Sequence, residues 1–169
     1  MGGDDCFWKP EFEAGAYFGL SNNHILHARG KIGAVYETEN KIVPVFERFW
    51  IGGMRTIRGY DYDDISPRDT RTNETIGSDR MGYINLEYIW VAKPDIGLAV
   101  VPFYDIGFNT DSEQHSGIFD KVYSSAGVEV RWRSPMGDLR FAYGIPLSKM
   151  SNGEKRSSGR FEFSMGQAF

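Results

Sequence analysis

The sequence predicts an all-β fold, an antiparallel transmembrane β-barrel segment of about seven to eight strands with one long loop, which the resemblance given below implies is lumen-inserting. Three observations point there. Apolar residues alternate with polar or small ones in successive runs of roughly ten residues, the period of a strand with two different faces. The connections between runs go short, long, short, long, short, long, as barrel turns and loops do. Aromatic side chains make up 15% of the 169 residues beside 20 glycines, an unusual blend for a soluble enzyme of this size.

No run approaches the roughly 18 to 20 apolar residues that a membrane-spanning helix needs. The mean hydropathy of −0.41 does not argue against a barrel, because every second residue of a barrel strand faces a polar lumen. A net charge of −4 offers no basic field for nucleic acid. Cys6 is the only cysteine, so neither an intramolecular disulfide nor a cysteine-based metal site can form. Met1-Gly2-Gly3 has none of the features of a signal peptide and reads as an added start. Residues 1–10 are therefore expected to be a lead-in or loop segment, and residues 11–169 a fragment or engineered piece of a barrel, which the resemblance given below makes the C-terminal portion of a longer one.

Residues 11–20 set Phe12, Ala14, Ala16, Phe18 and Leu20 against Glu11, Glu13, Gly15, Tyr17 and Gly19. After Ser21-Asn22-Asn23, residues Leu26 to Tyr36 continue the pattern with His27, Arg29 and Lys31 on the polar face. From about 37 to 80 the alternation fails, and Pro44 and Pro67 exclude a continuous central strand. A loop of that length is expected to be functional, since structureless connections beyond about 12 to 15 residues are uncommon in compact domains.

Residues 82–91 resume with Ile84, Leu86, Tyr88 and Trp90 against Tyr83, Asn85, Glu87 and Ile89, and Lys93-Pro94-Asp95 makes a turn. In residues 97–108, Asp105 falls on the polar face, and Pro102 predicts a bulge or local break. Residues 122–132 place Ala126, Val128, Val130 and Trp132 opposite Ser125, Gly127, Glu129 and Arg131. Ser134-Pro135-Met136-Gly137 is a tight turn into Leu139, Phe141, Tyr143 and Ile145. The chain finishes with Phe161, Phe163, Met165 and Phe169 against Arg160, Glu162, Ser164 and Gly166.

Alternation alone does not separate an inside-out barrel from a soluble sandwich or lipocalin. Two details favour the membrane. The polar face mixes Gly, Ser and Ala with its charges, which suits a crowded lumen, and aromatics gather near strand ends as interfacial girdles do.

Ile57-Arg58-Gly59-Tyr60, preceded by Glu47-Arg48-Phe49 and Gly52-Gly53, resembles the loop signature of the BamA-type outer membrane protein assembly factors of the bacterial surface antigen superfamily. Asn85-Leu86-Glu87-Tyr88, Phe103-Tyr104-Asp105-Ile106-Gly107, Arg131 to Gly137 and Phe163 to Phe169 extend the resemblance over residues 11–169. It implies the last strands of a larger barrel, located in the bacterial cell outer membrane. It implies a loop folded into the lumen, with Arg58 pairing with Glu87 and Asp105. It also implies that Phe163, Gly166 and Phe169 belong to a terminal strand and β-signal that forms half of a seam with a first strand outside this chain. Periplasmic POTRA domains would likewise lie outside it. The implied activity is folding and inserting other barrels without covalent chemistry, with outer membrane lipids, nascent outer membrane proteins and assembly-complex lipoproteins as partners.

The residues read by themselves allow the same pairing, because Glu87 and Asp105 sit on the polar faces of adjacent strands where one arginine fork can bridge them. The competing arrangement has a solvated Arg58, with Glu87 and Asp105 paired to Arg29, Arg131 or Arg140. Asp61, Asp63 and Asp64 lack the glycine and distal glutamate of a calcium loop and read as a solvated acidic loop. His24, His27 and His115 fit no metal or triad spacing, and no serine stands in a Gly-x-Ser-x-Gly elbow. The expectation is no enzyme, no catalytic residue, no metal, no cofactor and no nucleic acid. Rival functions are a TamA-like or two-partner-secretion pore and a generic small outer membrane barrel with a structural or adhesive role. Residues 3–9 are a doubtful eighth strand. The segment could close as a small barrel, self-associate with a second copy, or leave an edge covered by the long loop.

Overall fold

A computed structural model describes residues 7–37, 43–69, 71–111, 121–151, 153 and 158–166. In chain order the elements are β1 (Phe7–Trp8), β2 (Glu11–Ser21), β3 (His24–Ala34), β4 (Tyr36–Glu37), α1 (Tyr62–Ile65), β5 (Arg80–Lys93), β6 (Leu98–Thr110), β7 (Val122–Ser134), β8 (Gly137–Pro146) and β9 (Arg160–Met165). Strands β2, β3, β5, β6, β7, β8 and β9 form one seven-stranded sheet in that order, each antiparallel to the next. This is the up-and-down wall that the alternation implies. It is open, with β2 and β9 as its edges.

The faces are inside out. Phe18, Leu26, Ile84, Trp90, Val128, Tyr143 and Phe163 are each more than a third exposed on the outer side. A water-soluble sheet could not leave so continuous an apolar surface uncovered. The polar face is the buried one, because the segment from Val43 to Asp69 lies against it. Its Val43, Phe49, Ile51, Ile57, Tyr60 and Ile65 pack on Met81, Tyr83 and Tyr123 of the wall and on Val35 just beyond β3, and that cluster is the hydrophobic core.

Two expectations need correction, and at Pro102 the structure chooses between the two expected forms. In the described part of the doubtful eighth strand, Phe7–Trp8 pairs with Tyr36–Glu37 in a separate two-stranded sheet and not with the wall. The second run of the sequence ends as a wall strand at Ala34. Pro102 introduces no bulge, since its register with β7 is unbroken through Pro102↔Val128. The break takes the other form: on the β5 side the ladder stops between Glu87↔Phe103 and Trp90↔Val100 and resumes in the same register. A proline removes one donor without lengthening the strand, so pairing lapses while the register stays. The shifts in register lie beside the turns, at Gly19/Ser21 and Val91/Lys93.

The described part of the last strand ends at Met165, and Gly166 follows in the left-handed region with φ 84°. Phe169, Cys6 and His115 lie outside the described residues.

Candidate functional site

The long segment re-enters the lumen through a compact turn at Gly52 to Tyr60. The Gly53 amide donates to the carbonyls of Ile57 (3.1 Å) and Tyr60 (2.7 Å), and the Gly52 amide donates to Thr56 Oγ1 at 2.6 Å. Gly52 adopts φ 134° with its α-carbon hard against Asp61, where a β-carbon would stand 2.6 Å from that residue's carbonyl carbon. The turn thereby presents Ile57, Arg58, Gly59 and Tyr60 to the wall. All four are buried.

Arg58 is 1% exposed, and every part of its guanidinium is engaged. Its Nε and Nη2 donate as a fork to the two oxygens of Asp105 at 2.8 and 2.7 Å, and its backbone amide donates to Asp105 Oδ2 at 3.0 Å. Nη1 donates to Glu87 Oε1 at 2.8 Å and to Glu129 Oε2 at 2.7 Å. The Phe103 ring lies under the guanidinium, 3.7 Å from its carbon. Burial works against the charged form of Arg58, but the hydrogen bonds and charges of Asp105, Glu87 and Glu129 more than offset it, and the side chain's pKa is raised.

The carboxylates are shared with wall arginines. Arg131 donates to Glu87 and to Glu129, both at 2.6 Å, and Arg140 donates twice to Glu129, at 2.6 and 3.0 Å. His27 Nδ1 lies 2.9 Å from Glu87 Oε2. Asn85 Nδ2 donates to Asp105 Oδ1 at 2.8 Å and also to the Thr56 carbonyl of the loop. Among the described contacts, three arginines and three carboxylates thus share one buried cluster. Such a cluster adds little net stability over an apolar core, yet it punishes any displacement that separates the charges. Its physical effect is to hold one loop position against one set of wall strands.

Beside the cluster, Gly59 (φ 87°) lies backbone to backbone on Gly144 of β8. The Tyr60 hydroxyl accepts from the Ser148 amide at 3.0 Å and donates to the carbonyl of Ser148 (2.8 Å) or Ser124 (3.0 Å). Burial raises the pKa of this phenol, so it remains a donor. The acidic triplet stays local: Asp61 and Asp64 form the capping box of α1, and Asp63 accepts from Thr75 Oγ1 at 3.0 Å. Asp61 also receives Arg160 of β9 at 2.6 Å, which ties the loop to the terminal strand. Phe163 faces outward, 54% exposed.

Of the acids named from the sequence, Glu87 and Asp105 both meet Arg58. The competing arrangement of a solvated Arg58 is therefore wrong, although Arg131 does share Glu87. The third acid, Glu129, is the one sequence reasoning missed. Arg131 and Arg140 are direct cross-strand partners, and two like charges so placed favour a common counter-ion, but that pairing appears only once the strand register is known. Glu129→Gln is expected to destabilise the protein by about 1.5–3 kcal/mol, the loss of hydrogen bonds to charged donors. The midpoint of heat-induced loss of the folded form in detergent measures it, and an unchanged midpoint would remove Glu129 from the cluster's essential members.

An inside-out antiparallel wall whose longest loop is buried in the lumen by a charged cluster defines an outer membrane β-barrel segment with an internal loop plug. The chain belongs to the Omp85 superfamily, whose domain matches residues 1–169. Over 169 residues it is 59% identical to the outer membrane protein assembly factor BamA of Nitratidesulfovibrio vulgaris, which covers 100% of this chain and 21% of that protein. Over 183 residues it is 26% identical to the same-named protein of Neisseria meningitidis, covering 90% of this chain and 23% of the relative. The chain thus spans about a fifth of the length of these curated relatives. Among solved structures, BamA from Haemophilus ducreyi lacking POTRA domains 1-3 superposes with a TM-score of 0.81 at 23% identity, over 95% of this chain and 35% of that one. CdiB from Acinetobacter baumannii gives 0.63 at 18% identity, over 94% of this chain and 26% of that one. These two likenesses establish the shared fold.

Proposed function

We propose that this chain is the loop-bearing, C-terminal wall of an outer membrane protein assembly factor, and that the protein carrying it folds and inserts nascent barrel proteins into the outer membrane. The observation that carries the reading is the 59% identity, across the whole chain, to a protein of that name. No covalent step is needed. Strands β5 to β8 are locked to the loop by the Arg58 cluster and form the rigid part. The described part of the terminal strand β9 is joined to β8 by six pairs, is followed by the Gly166 amide donating to the Asp138 carbonyl, and reaches the loop through Arg160–Asp61; it carries none of the three acids hydrogen-bonded to Arg58. An edge strand outside that set suits addition of a client strand by β-augmentation. In this reading Glu87 and Asp105 anchor the loop, Phe163, Gly166 and Phe169 serve the terminal strand, and assembly-complex lipoproteins and lipids are the other partners.

The test is reconstitution of the full-length protein in proteoliposomes with an unfolded small barrel as client. Heat-resistant, membrane-inserted client is expected to accumulate faster than in protein-free liposomes. Client that reaches the vesicle interior without inserting would instead identify a secretion pore, and no effect on either would leave a structural barrel.

A further inference from the structure

At the long-loop end of the sheet the outward positions of the seven wall strands carry one charged side chain. It is Arg80, the first residue of β5, between Ala34 and Thr110. From there that face carries apolar, small or uncharged residues as far as Lys93, which a bulge turns outward opposite Leu98 at the other, short-turn end. Arg80 is half-buried and has no ion-pair partner among the described residues. A lone cation on a lipid-facing surface is unfavourable unless it reaches the headgroups or finds an anion there.

The face beside Arg80 is not flat. Cross-strand partners Ala14↔Gly30 and Ala16↔Ala28 make a low floor between β2 and β3. Phe12, Ile32, Ile84 and Phe108 rise around it, and the resulting groove measures about 730 Å³. Its upper end runs into a second depression lined by Phe12, Ile32, Tyr36, Phe108 and Arg80. The basic residues that border the groove from the lumen side are already engaged. Lys31 pairs with Glu11 at 2.6 Å, and Arg29 lies 3.8 Å from Glu13. Arg80 is thus the cation without a described ion-pair partner at the mouth of an apolar trough on the outward face.

We propose that this groove is a binding site for a lipid of the outer leaflet with an anionic phosphate headgroup that carries no compensating cation, with one acyl chain along the Ala14–Gly30 floor and the headgroup phosphate on Arg80. The chain gains contact on its sides as well as its base, which a flat wall does not offer. The guanidinium gains a bidentate anion at the depth where it would otherwise sit alone. Short turns mark the periplasmic end of such barrels and long loops the outer end, so Arg80 stands at the outer leaflet. The proposal rests on the outward face meeting lipid and is independent of what the barrel does to its clients.

The experiment is native mass spectrometry of the full-length protein released from neutral detergent, after incubation with dimyristoyl phosphatidic acid or dimyristoyl phosphatidylcholine. Phosphatidic acid is expected to be retained about fivefold better, the effect of roughly one cation–headgroup interaction. Arg80→Gln should abolish that preference, and Arg80→Lys should keep most of it. Ala14→Phe, which fills the floor from an exposed position, should lower retention of both lipids. Inorganic phosphate should not compete. Each variant's heat-modifiable mobility checks that it is folded. A preference that survives Arg80→Gln, retention untouched by Ala14→Phe, or full competition by inorganic phosphate would each overturn the proposal.

Discussion

Arg58→Ala is expected to destabilise the folded segment by about 3–5 kcal/mol, the usual penalty for removing one partner of a buried ionic cluster. The side chain holds Asp105 by two guanidinium nitrogens and reaches Glu87 and Glu129 with a third. Alanine would leave Asp105 with its Asn85 bond and the loop amide as its described donors, in a site that excludes water. Arg58→Lys restores the charge but not the fork, so it should recover only part of the loss. The measurement is the temperature at which the compact, heat-modifiable form disappears in detergent, together with a cycle against Asp105→Asn. Coupling above roughly 1 kcal/mol is expected for residues in direct contact. Strictly additive effects would mean that the loop does not depend on this contact.

Gly144→Ala should have an effect of similar size through a different cause. A β-carbon on Gly144 would stand 2.7 Å from the Gly59 nitrogen and 2.8 Å from its α-carbon. Those are backbone atoms, which cannot swing aside as a flexible side chain can. The wall strand cannot yield either, because Gly144 pairs with Gly127 on one side and Arg160 on the other. The loop must therefore lift, and Arg58 is the next residue. Ejection of the loop leaves the same carboxylates bare, so a loss of about 3–5 kcal/mol is expected for Gly144→Ala as well. Trypsin offers a direct readout, since Arg55 is exposed at the tip of the turn. Cleavage after Arg55 should become rapid in the variant and stay slow in the unaltered protein. Equal rates would mean that the loop tolerates the extra methyl in place.

Much of this was legible in the residues. Period-two alternation placed the seven wall strands and assigned Glu87 and Asp105 to the inner face, because side-chain direction in a strand depends only on parity. The motif at Ile57 to Tyr60 marked the part of the loop that enters the lumen. Glu129 was on the correct face but unassigned, because its importance depends on which strands are neighbours and in what register. The Gly59 and Gly144 contact was invisible for a similar reason. Eighty-odd residues separate the two glycines, and each has ordinary uses in a turn or a strand. Pro102 was read correctly as a disturbance, but whether a missing donor produces a bulge or a gap depends on the partner strand.

The sequence by itself determined the inside-out wall, the rhythm of its connections and the loop that carries Arg58. These are local properties, written in periodicity and in the chemistry of short stretches. The tertiary structure decided where that loop docks, which three acids share its arginine, and that Arg80, at the loop end of the lipid face, stands at the head of a groove. Each of these depends on register across several strands, and register arises only when distant residues are brought within a few ångströms of each other.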